Sequence, residues 1–320
     1  MDDENNDASA SPAVCVFMPS PVLTITIENL GDGDQHHIHA GGQGFWIARM
    51  IRRLGLAVWL AAPLGGDTGA VLRHLIEREE VGLCATDVGA ENGSYIHDRR
   101  GGQRQAISEV RSDPLSRHDL DDFYDTSLVQ VLDSDVLVLA GPSTVGVVPS
   151  QTYTRLARDA RANGVRVVAD LTGEALSAAL EGGIDLLKVS HQELLDIGML
   201  RDVCPASFIA VARELHAAGA DNVVISRADE PALALLDGEA WEVRGPRLEP
   251  QEHRGAGDSM TAGLAVGLAR GLGLRDAVRL GAGAGSLNVT RHGLGTGQRE
   301  HVEQIADHVE IRPLCAAGPA

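Results

Sequence analysis

The sequence predicts an α/β fold in which a doubly wound, mainly parallel sheet is flanked by helices and carries a small β-lid. Three observations carry that expectation. Short apolar runs at Val136–Ala140, Val165–Asp170, Leu186–Val189 and Val223–Ser226 are separated by stretches of helical periodicity, notably Tyr153–Asn163 and Ser207–Ala218. That is the rhythm of strands buried on both faces between crossover helices. Ser94–Asp98 and Arg104–Ser108 instead alternate polar with apolar around Gly101-Gly102, the pattern of a hairpin inserted between strand–helix units. Composition agrees: of 320 residues 44% are hydrophobic but only 3% aromatic, which suits small side chains packing helices closely on a sheet.

In chain order, the opening Met1-Asp2-Asp3-Glu4-Asn5-Asn6-Asp7 is acidic where a signal peptide is basic, and residues 1–13 are expected to form a disordered tail. Val14–Met18 is a continuous apolar strand and Leu23–Glu28 an alternating one. Gly41-Gly42-Gln43-Gly44 leads into a helix over Phe45–Leu54, where Ile47, Met50, Ile51 and Leu54 share a face and Gly55 provides the stop. Ala57–Ala62 is a buried strand. Gly65-Gly66-Asp67-Thr68-Gly69 precedes a helix over Ala70–Glu80, with Asp67 as its cap. Beyond the core strands, Leu233–Leu236 and Ala240–Val243 form a late hairpin, and Ala/Gly-rich helices near 259–271 and 275–289 close the domain. The run Gly281-Ala282-Gly283-Ala284-Gly285 has no strand before it, so close helix packing explains it better than a dinucleotide fingerprint. One domain over 14–310 is expected, with lid strands at about 22–40 and 92–110 and a flexible tail over 311–320.

The net charge of −18 argues against a sequence-independent grip on nucleic acid or on an anionic membrane surface. No apolar run approaches the ~20 residues that span a bilayer. Cys15, Cys84, Cys204 and Cys315 lie far apart, which indicates neither a disulfide framework nor a zinc site. A soluble, cytoplasmic chain is the expectation. His36, His37 and His39, read as loop residues, lack the supporting spacing of a metal site; a substrate contact by one of them suits them better.

The most informative segment is Arg254-Gly255-Ala256-Gly257-Asp258-Ser259-Met260-Thr261-Ala262-Gly263. The backbone N–H groups of Gly255, Ala256 and Gly257 can converge on an anion at the positive end of the following helix. Asp258 stands where an acceptor hydroxyl would meet a terminal phosphate, and its carboxylate can take the hydroxyl proton. A glycine-rich loop capped by an aspartate is the plainer alternative for the motif taken alone. Arg99, Arg100 and Arg104 in the flap either reach an anionic substrate or form a solvated hairpin tip.

Two glycine-rich helix starts, Ala40–Gly44 and Gly255–Asp258, separated by a sheet rhythm and a lid, are together far more specific than either alone. On these residues, with Gly65–Gly69, the chain resembles the ribokinase, or phosphofructokinase B, family of ATP-dependent sugar kinases from about Val14 to Glu310. The likeness is strongest to the phosphofructokinase and tagatose-phosphate kinase branch. The resemblance implies ATP and Mg2+ as cofactors, Asp258 as base, and Gly255, Ala256 and Gly257 as an anion hole. It implies a nucleotide side that draws on Lys188, Ser190, Glu193, Ser226, Arg254 and Asn288, with Glu193 meeting the metal through water. It also implies a sugar or sugar-phosphate acceptor near Thr24, Gly41, Gly42, Gln43, Trp46, Asn92 and Arg104, and a homodimer formed through the lid.

The acceptor side departs from the family pattern. Thr24 stands where an aspartate usually grips sugar hydroxyls, Gln43 where a lysine is usual, and Trp46 where an asparagine binds the sugar. Glu91-Asn92 occupies the place of a phosphate-binding Thr-Arg. On the nucleotide side Ser190 replaces an asparagine, and Ser226–Pro231 replaces a glycine-bearing turn. A kinase for a non-standard acceptor such as a nucleoside, and a non-catalytic nucleotide- or sugar-binding relative, are the alternatives these departures raise.

Overall fold

A computed structural model describes residues 12–314 except Leu30, Asp32, Gln103, Glu252 and His292. Most of the two expected tails lies outside the described residues. At both ends, however, the sheet overruns the limits read from the sequence. Ala13 already opens strand β1 (Ala13–Phe17), and Glu310–Pro313 forms the last strand, β14, pairing Ile311 with Val243.

From β1 the chain makes the lid strands β2 (Val22–Asn29) and β3 (Asp34–Gly41), then α1 (Gln43–Arg53), β4 (Ala57–Leu64), α2 (Gly66–Glu77) and β5 (Gly82–Asp87). It returns to the lid as β6 (Gly93–Asp98) and β7 (Gln105–Val110). There follow α3 (Arg117–Leu132), β8 (Val136–Ala140), α4 (Gln151–Ala162), β9 (Arg166–Asp170), α5 (Gly173–Gly182), β10 (Leu186–Ser190), α6 (His191–Asp196) and α7 (Pro205–Ala218). A meander of β11 (Val223–Arg227), β12 (Glu230–Leu236) and β13 (Glu239–Arg244) leads to α8 (Ala256–Ala269), α9 (Leu274–Val289), α10 (Arg299–Asp307) and β14.

The main sheet runs β14-β13-β12-β11-β10-β9-β8-β1-β4-β5. Every pair from β11 to β5 is parallel, and the three pairs from β11 to β14 are antiparallel. Alternate strand residues feed two cores. Val14 and Val16 pack with Ile47, Leu264 and Val278 on one face, while Cys15 and Phe17 pack with Phe123, Tyr153 and Leu215 on the other. α8 is buried all round, which its run of Ala, Gly and Leu permits. The glycine run in α9 lets these helices touch: a Cβ on Gly263 would come within 2.7 Å of the Gly281 backbone.

Chain order reverses between β1 and β8, so the loops after these two strands splay apart and leave a crevice at the carboxyl ends of the sheet. Over it lies the four-stranded lid, ordered β3-β2-β6-β7. His36, His37 and His39 therefore belong to β3, not to a loop, and pair with Ile27, Thr26 and Thr24 of β2. Asp67 lies inside the first turn of α2, not at its cap, which is Gly65. Among the described residues no helix is long and apolar enough to cross a membrane.

Candidate active site

The turn that starts α8 is held from three sides. Gly255 caps the helix at φ 74°, a left-handed conformation suited to glycine, and a Cβ there would meet Leu294 at 2.9 Å. Asn288, near the end of α9, is buried and donates to the Arg254 carbonyl at 2.7 Å, while its own oxygen accepts from Ser259 Oγ at 3.1 Å and from the Gly295 amide at 3.2 Å. Its amide is thus engaged in fixing the turn. Beneath the turn, the space a side chain on Gly257 would take is filled by Lys188, whose Nζ lies 2.7 Å from the missing Cβ.

Lys188 is the buried cation of this end of the molecule. Its ammonium donates to both oxygens of Asp170, at 3.1 and 3.2 Å, and Thr261 Oγ1 donates to Asp170 Oδ2 at 2.6 Å. Burial alone would lower the lysine's pKa, but the carboxylates of Asp170, Glu193 and Asp258 hold it above the ordinary value. A positive charge is therefore fixed against Gly257, in the first turn of α8. Asp170 and Thr261 are the members of this network that sequence reading missed. Position was the available signal: Asp170 ends a core strand, at the crevice edge of the sheet.

Asp258 is half-buried in the first turn of α8 and lines the crevice. Burial pushes its pKa up to about 7, and Asp170 adds to the rise; Lys188 and a hydrogen bond from Gln43 oppose it, while Glu193 raises it further. A carboxyl group so tuned is ionised over much of the neutral range yet basic enough to take a hydroxyl proton.

On the nucleotide side, Ser190 and Glu193 form a capping box at α6. Ser190 donates from its amide and its hydroxyl to Glu193 Oε2, each at 2.7 Å, and its hydroxyl accepts from the Glu193 amide. The serine thus fixes the glutamate in place of the usual asparagine, and one carboxylate oxygen remains outside the box. Ser226 lies near the end of β11, and in the turn that follows Ala228 holds a left-handed conformation at φ 50°, so this segment turns without a glycine. Among the described residues no group of three acidic, histidine or cysteine side chains converges on a point that would cage a metal ion. The donor set fits Mg2+ carried on phosphates, because that ion keeps several waters and takes few protein ligands.

Most of the residues expected at the acceptor line a cavity of about 980 Å3 between lid and body, bounded by Thr24, Gly41, Gly42, Gln43, Trp46, Arg104, Arg254 and Asp258 among others. Cross-strand pairing sets His39 and Tyr95 on either side of Thr24, and His37 and His97 on either side of Thr26. A Cβ on Gly41 would fall on Thr24 Oγ1, so this glycine lets β3 lie close against the Thr24 side chain of the neighbouring lid strand β2. Trp46 packs against His39 with ring centroids 5.3 Å apart. Burial, and then the neighbouring arginines, lower His39 and His97 to about 4, so both imidazoles are neutral at pH 7.

The three flap arginines separate in role. Arg100 joins the two lid tips by reaching Asp34 at 2.7 Å, Arg99 approaches Glu28 at 3.4 Å, and Arg104 lies over the Tyr95 ring at 4.5 Å, facing the cavity. Burial, followed by the charges of Arg254 and Arg99, lowers the Arg104 pKa against the opposing pull of Tyr95, marking a cluster of cations. Asn92 is not part of the cavity wall. It is buried, accepting from the Gly65 amide at 2.8 Å and donating to the Pro63 carbonyl at 3.1 Å, and so pins the lid base to the start of α2. Tyr95 and His97 are cavity residues that sequence reading did not single out; their alternation within the flap was the signal.

Comparison with known proteins gives a consistent result. The pfkB family carbohydrate kinase profile matches residues 23–301. The chain is 26% identical over 293 residues to a 1-phosphofructokinase of Bacillus subtilis, covering 92% of this chain and 95% of that protein. It is 28% identical over 271 residues to the ATP-dependent 6-phosphofructokinase isozyme 2 of Escherichia coli, covering 83% and 86%. The crystal structure of phosphofructokinase-2 from E. coli in complex with fructose-6-phosphate superposes with a TM-score of 0.78 at 26% identity, covering 93% of this chain and 99% of that one.

Proposed function

This chain belongs to the pfkB family of carbohydrate kinases, and from that premise we propose that it transfers the terminal phosphoryl group of ATP to a hydroxyl of a sugar phosphate. Sugar or sugar-phosphate phosphorylation is the activity of its relatives, which include 1-phosphofructokinase and an ATP-dependent 6-phosphofructokinase. The observation that carries the finer reading is a single cavity lined by Asp258 and by the neighbouring cations Arg104 and Arg254. In this reading Asp258 accepts the hydroxyl proton, and the amides of Gly255, Ala256 and Gly257, backed by Lys188, take the charge that develops on the transferred group. Arg104 and Arg254 hold the phosphate already on the acceptor.

Mg2+ bound with the nucleotide would neutralise its phosphates, and the glutamate oxygen left outside the Ser190 box would meet a water of that ion. A cytoplasmic setting, where ATP is supplied, belongs to the same reading. So does a homodimer through the lid: Ile38, Ile25 and Ile96 form one cross-strand row on the face opposite Thr24, and Ile38 is 52% exposed. Solution mass checks this; a monomer at micromolar concentration would end the dimer proposal.

The test of function is ADP release over fructose 1-phosphate, fructose 6-phosphate, tagatose 6-phosphate, free hexoses and nucleosides, with Asp258→Asn as control. Phosphorylated ketohexoses are expected to give the highest kcat/KM. A second reading is favoured by one observation, the ring-rich wall of Trp46, His39 and Tyr95: an acceptor that carries a flat ring. Preference for nucleosides in the same panel would select it, and binding of ATP with no turnover on any acceptor would instead indicate a binding protein.

A further inference from the structure

We infer that Leu294 is a positioning residue for the glycine turn at the start of α8, and that Arg49 holds Leu294 in place, so that these two side chains tie the acceptor wall to the site of transfer. This deepens the reading of that turn as an anion hole and rests on it. The loop that joins α9 to α10 folds back on α1. Gly295 is buried at φ 59°, and a Cβ there would come within 2.9 Å of the Trp46 carbonyl oxygen, so loop and helix meet backbone to backbone. One residue earlier, the Leu294 carbonyl accepts a hydrogen bond from Arg49 Nη1 at 3.3 Å, while Arg49 Nε stands 2.9 Å from Glu79 Oε2 in an ion pair. A guanidinium suits such a bridge because its planar fork offers donors in several fixed directions. The Leu294 side chain reaches the turn itself: its Cδ2 and Cβ lie 2.9 and 3.4 Å from the point where a Cβ on Gly255 would stand.

Three features make this contact part of the transfer machinery. The first is the residue it meets. Gly255 is left-handed at φ 74°, and its conformation sets the direction of the Ala256 amide that follows. Glycine populates positive and negative φ about equally, so the residue type permits this turn without holding it there. Asn288 fixes Arg254 on one flank and Ser259 on the other, and Leu294 closes on Gly255 between them. The second feature is that Leu294, Arg49 and Trp46 all line the cavity. Trp46 and Arg49 lie three positions apart on α1, hence on one face of it. A displacement of that face on acceptor binding passes to Leu294 through one hydrogen bond and one backbone contact, and from Leu294 to the donors of the anion hole. The third feature is charge. Arg49 lines the cavity as Arg104 does, but Glu79 and the Leu294 carbonyl already engage it, which assigns it to the scaffold and leaves the acceptor phosphate to other cations.

The experiment compares Leu294→Ala, Leu294→Met, Arg49→Met and the double variant Arg49→Met/Leu294→Ala with the parent in two measurements. In steady-state kinetics, Leu294→Ala is expected to lower kcat about ten- to a hundredfold, with KM for ATP and for the acceptor changed less than about threefold, because the anion hole acts on the transition state. Leu294→Met refills most of the space and should return kcat to within about threefold of the parent. Arg49→Met is expected to lower kcat about tenfold, and the double variant to fall no further than Leu294→Ala alone, since both act through one contact. The second measurement needs no turnover: amide relaxation dispersion in protein labelled with 15N-glycine. Gly255 and Gly257 are expected to show microsecond-to-millisecond exchange in Leu294→Ala and Arg49→Met, and none in the parent or in Leu294→Met. Gly238, in the turn between β12 and β13, is the control; its constancy separates a local release of the turn from a general loosening. Unchanged Gly255 and Gly257 signals in Leu294→Ala overturn the inference. So does an Arg49→Met variant that keeps kcat and raises the acceptor KM, which would make Arg49 an acceptor ligand. Additive losses in the double variant overturn the part assigned to Arg49. If the parent phosphorylates no acceptor, the kinase reading fails, and the relaxation data alone decide whether Leu294 holds the turn.

Discussion

The two ends of the crevice are built in opposite ways. At the transfer end, Lys188, Asp170, Thr261, Ser259 and Asn288 are buried and joined by hydrogen bonds between side chains. At the acceptor end, Arg104 is exposed, and Tyr95 and Trp46 are half-buried. Charge stabilisation depends on dipoles that do not have to reorganise, so a rigid network suits the site of phosphoryl transfer. Recognition of one acceptor among many is a matter of wall chemistry and of closure.

The largest effect that would sharpen this contrast is expected at Asp258. Asp258→Asn keeps the shape and removes the base, and kcat is expected to fall by about 10^2- to 10^4-fold in the ADP-release assay. The same change should raise the Tm above neutral pH. A carboxyl whose folded pKa stands at about 7 contributes to stability below the ordinary carboxylate range and loses that contribution as pH rises through 7. Asparagine carries no charge to be desolvated beside Asp170 and Glu193. A variant both less active and less stable at alkaline pH would contradict this account of how the base is tuned.

Second in size is the pair under the turn. Lys188→Met leaves the Asp170 carboxylate buried without its cation, and urea denaturation is expected to show a loss of about 3–5 kcal/mol. Combining it with Asp170→Leu should recover much of that loss, because the unpaired charge is then gone. Neither variant should retain transfer, since the charge behind the anion hole is absent in both. If Lys188→Met were as stable as the parent, the transfer end would not be the rigid half of the comparison.

What was legible in the sequence follows the same division. Core strands such as Val136–Ala140 are continuous apolar runs, and the Gly255–Asp258 turn needs residues that little else explains, so both could be read directly. α3 went unread although Ser116 accepts from the Asp119 amide in a recognisable cap, because the exposed apolar Val129 and Leu132 blur the stripe that Leu120, Phe123, Tyr124, Leu128 and Val131 turn to the core. β14 is four residues long and depends on β13 for its pairing, a contact with no local signal. In the site, the residue types near the acceptor were visible but their directions were not. Asn92 and Asn288 are both amides near a ligand cleft, yet each is committed to backbone groups, and only the topology brings those groups within reach. Gln43 is the same case: its partner Gly141 lies 98 positions away, and no spacing rule connects them.

The smallest of these effects, and the one that bears on the open half alone, concerns Trp46. Its ring lies 5.0 Å from Phe45 and 5.3 Å from His39, with the Arg49 guanidinium 5.8 Å from its centroid, so one face is supported and the cavity side remains for a ligand. If a sugar ring lies against that indole, Trp46→Ala removes a stacking surface that no other residue replaces. The acceptor kcat/KM is then expected to fall about tenfold, mainly through KM, with KM for ATP unmoved. A gain in kcat/KM would show instead that the indole occupies volume the acceptor needs, and that the natural acceptor is the smaller or flatter molecule. Because Trp46 belongs to α1, three residues after the helix begins at Gln43, the variant also separates wall from base. Recognition lost with kcat intact places the indole in the acceptor wall, whereas a fall in kcat would mean that the indole also acts on the transfer end.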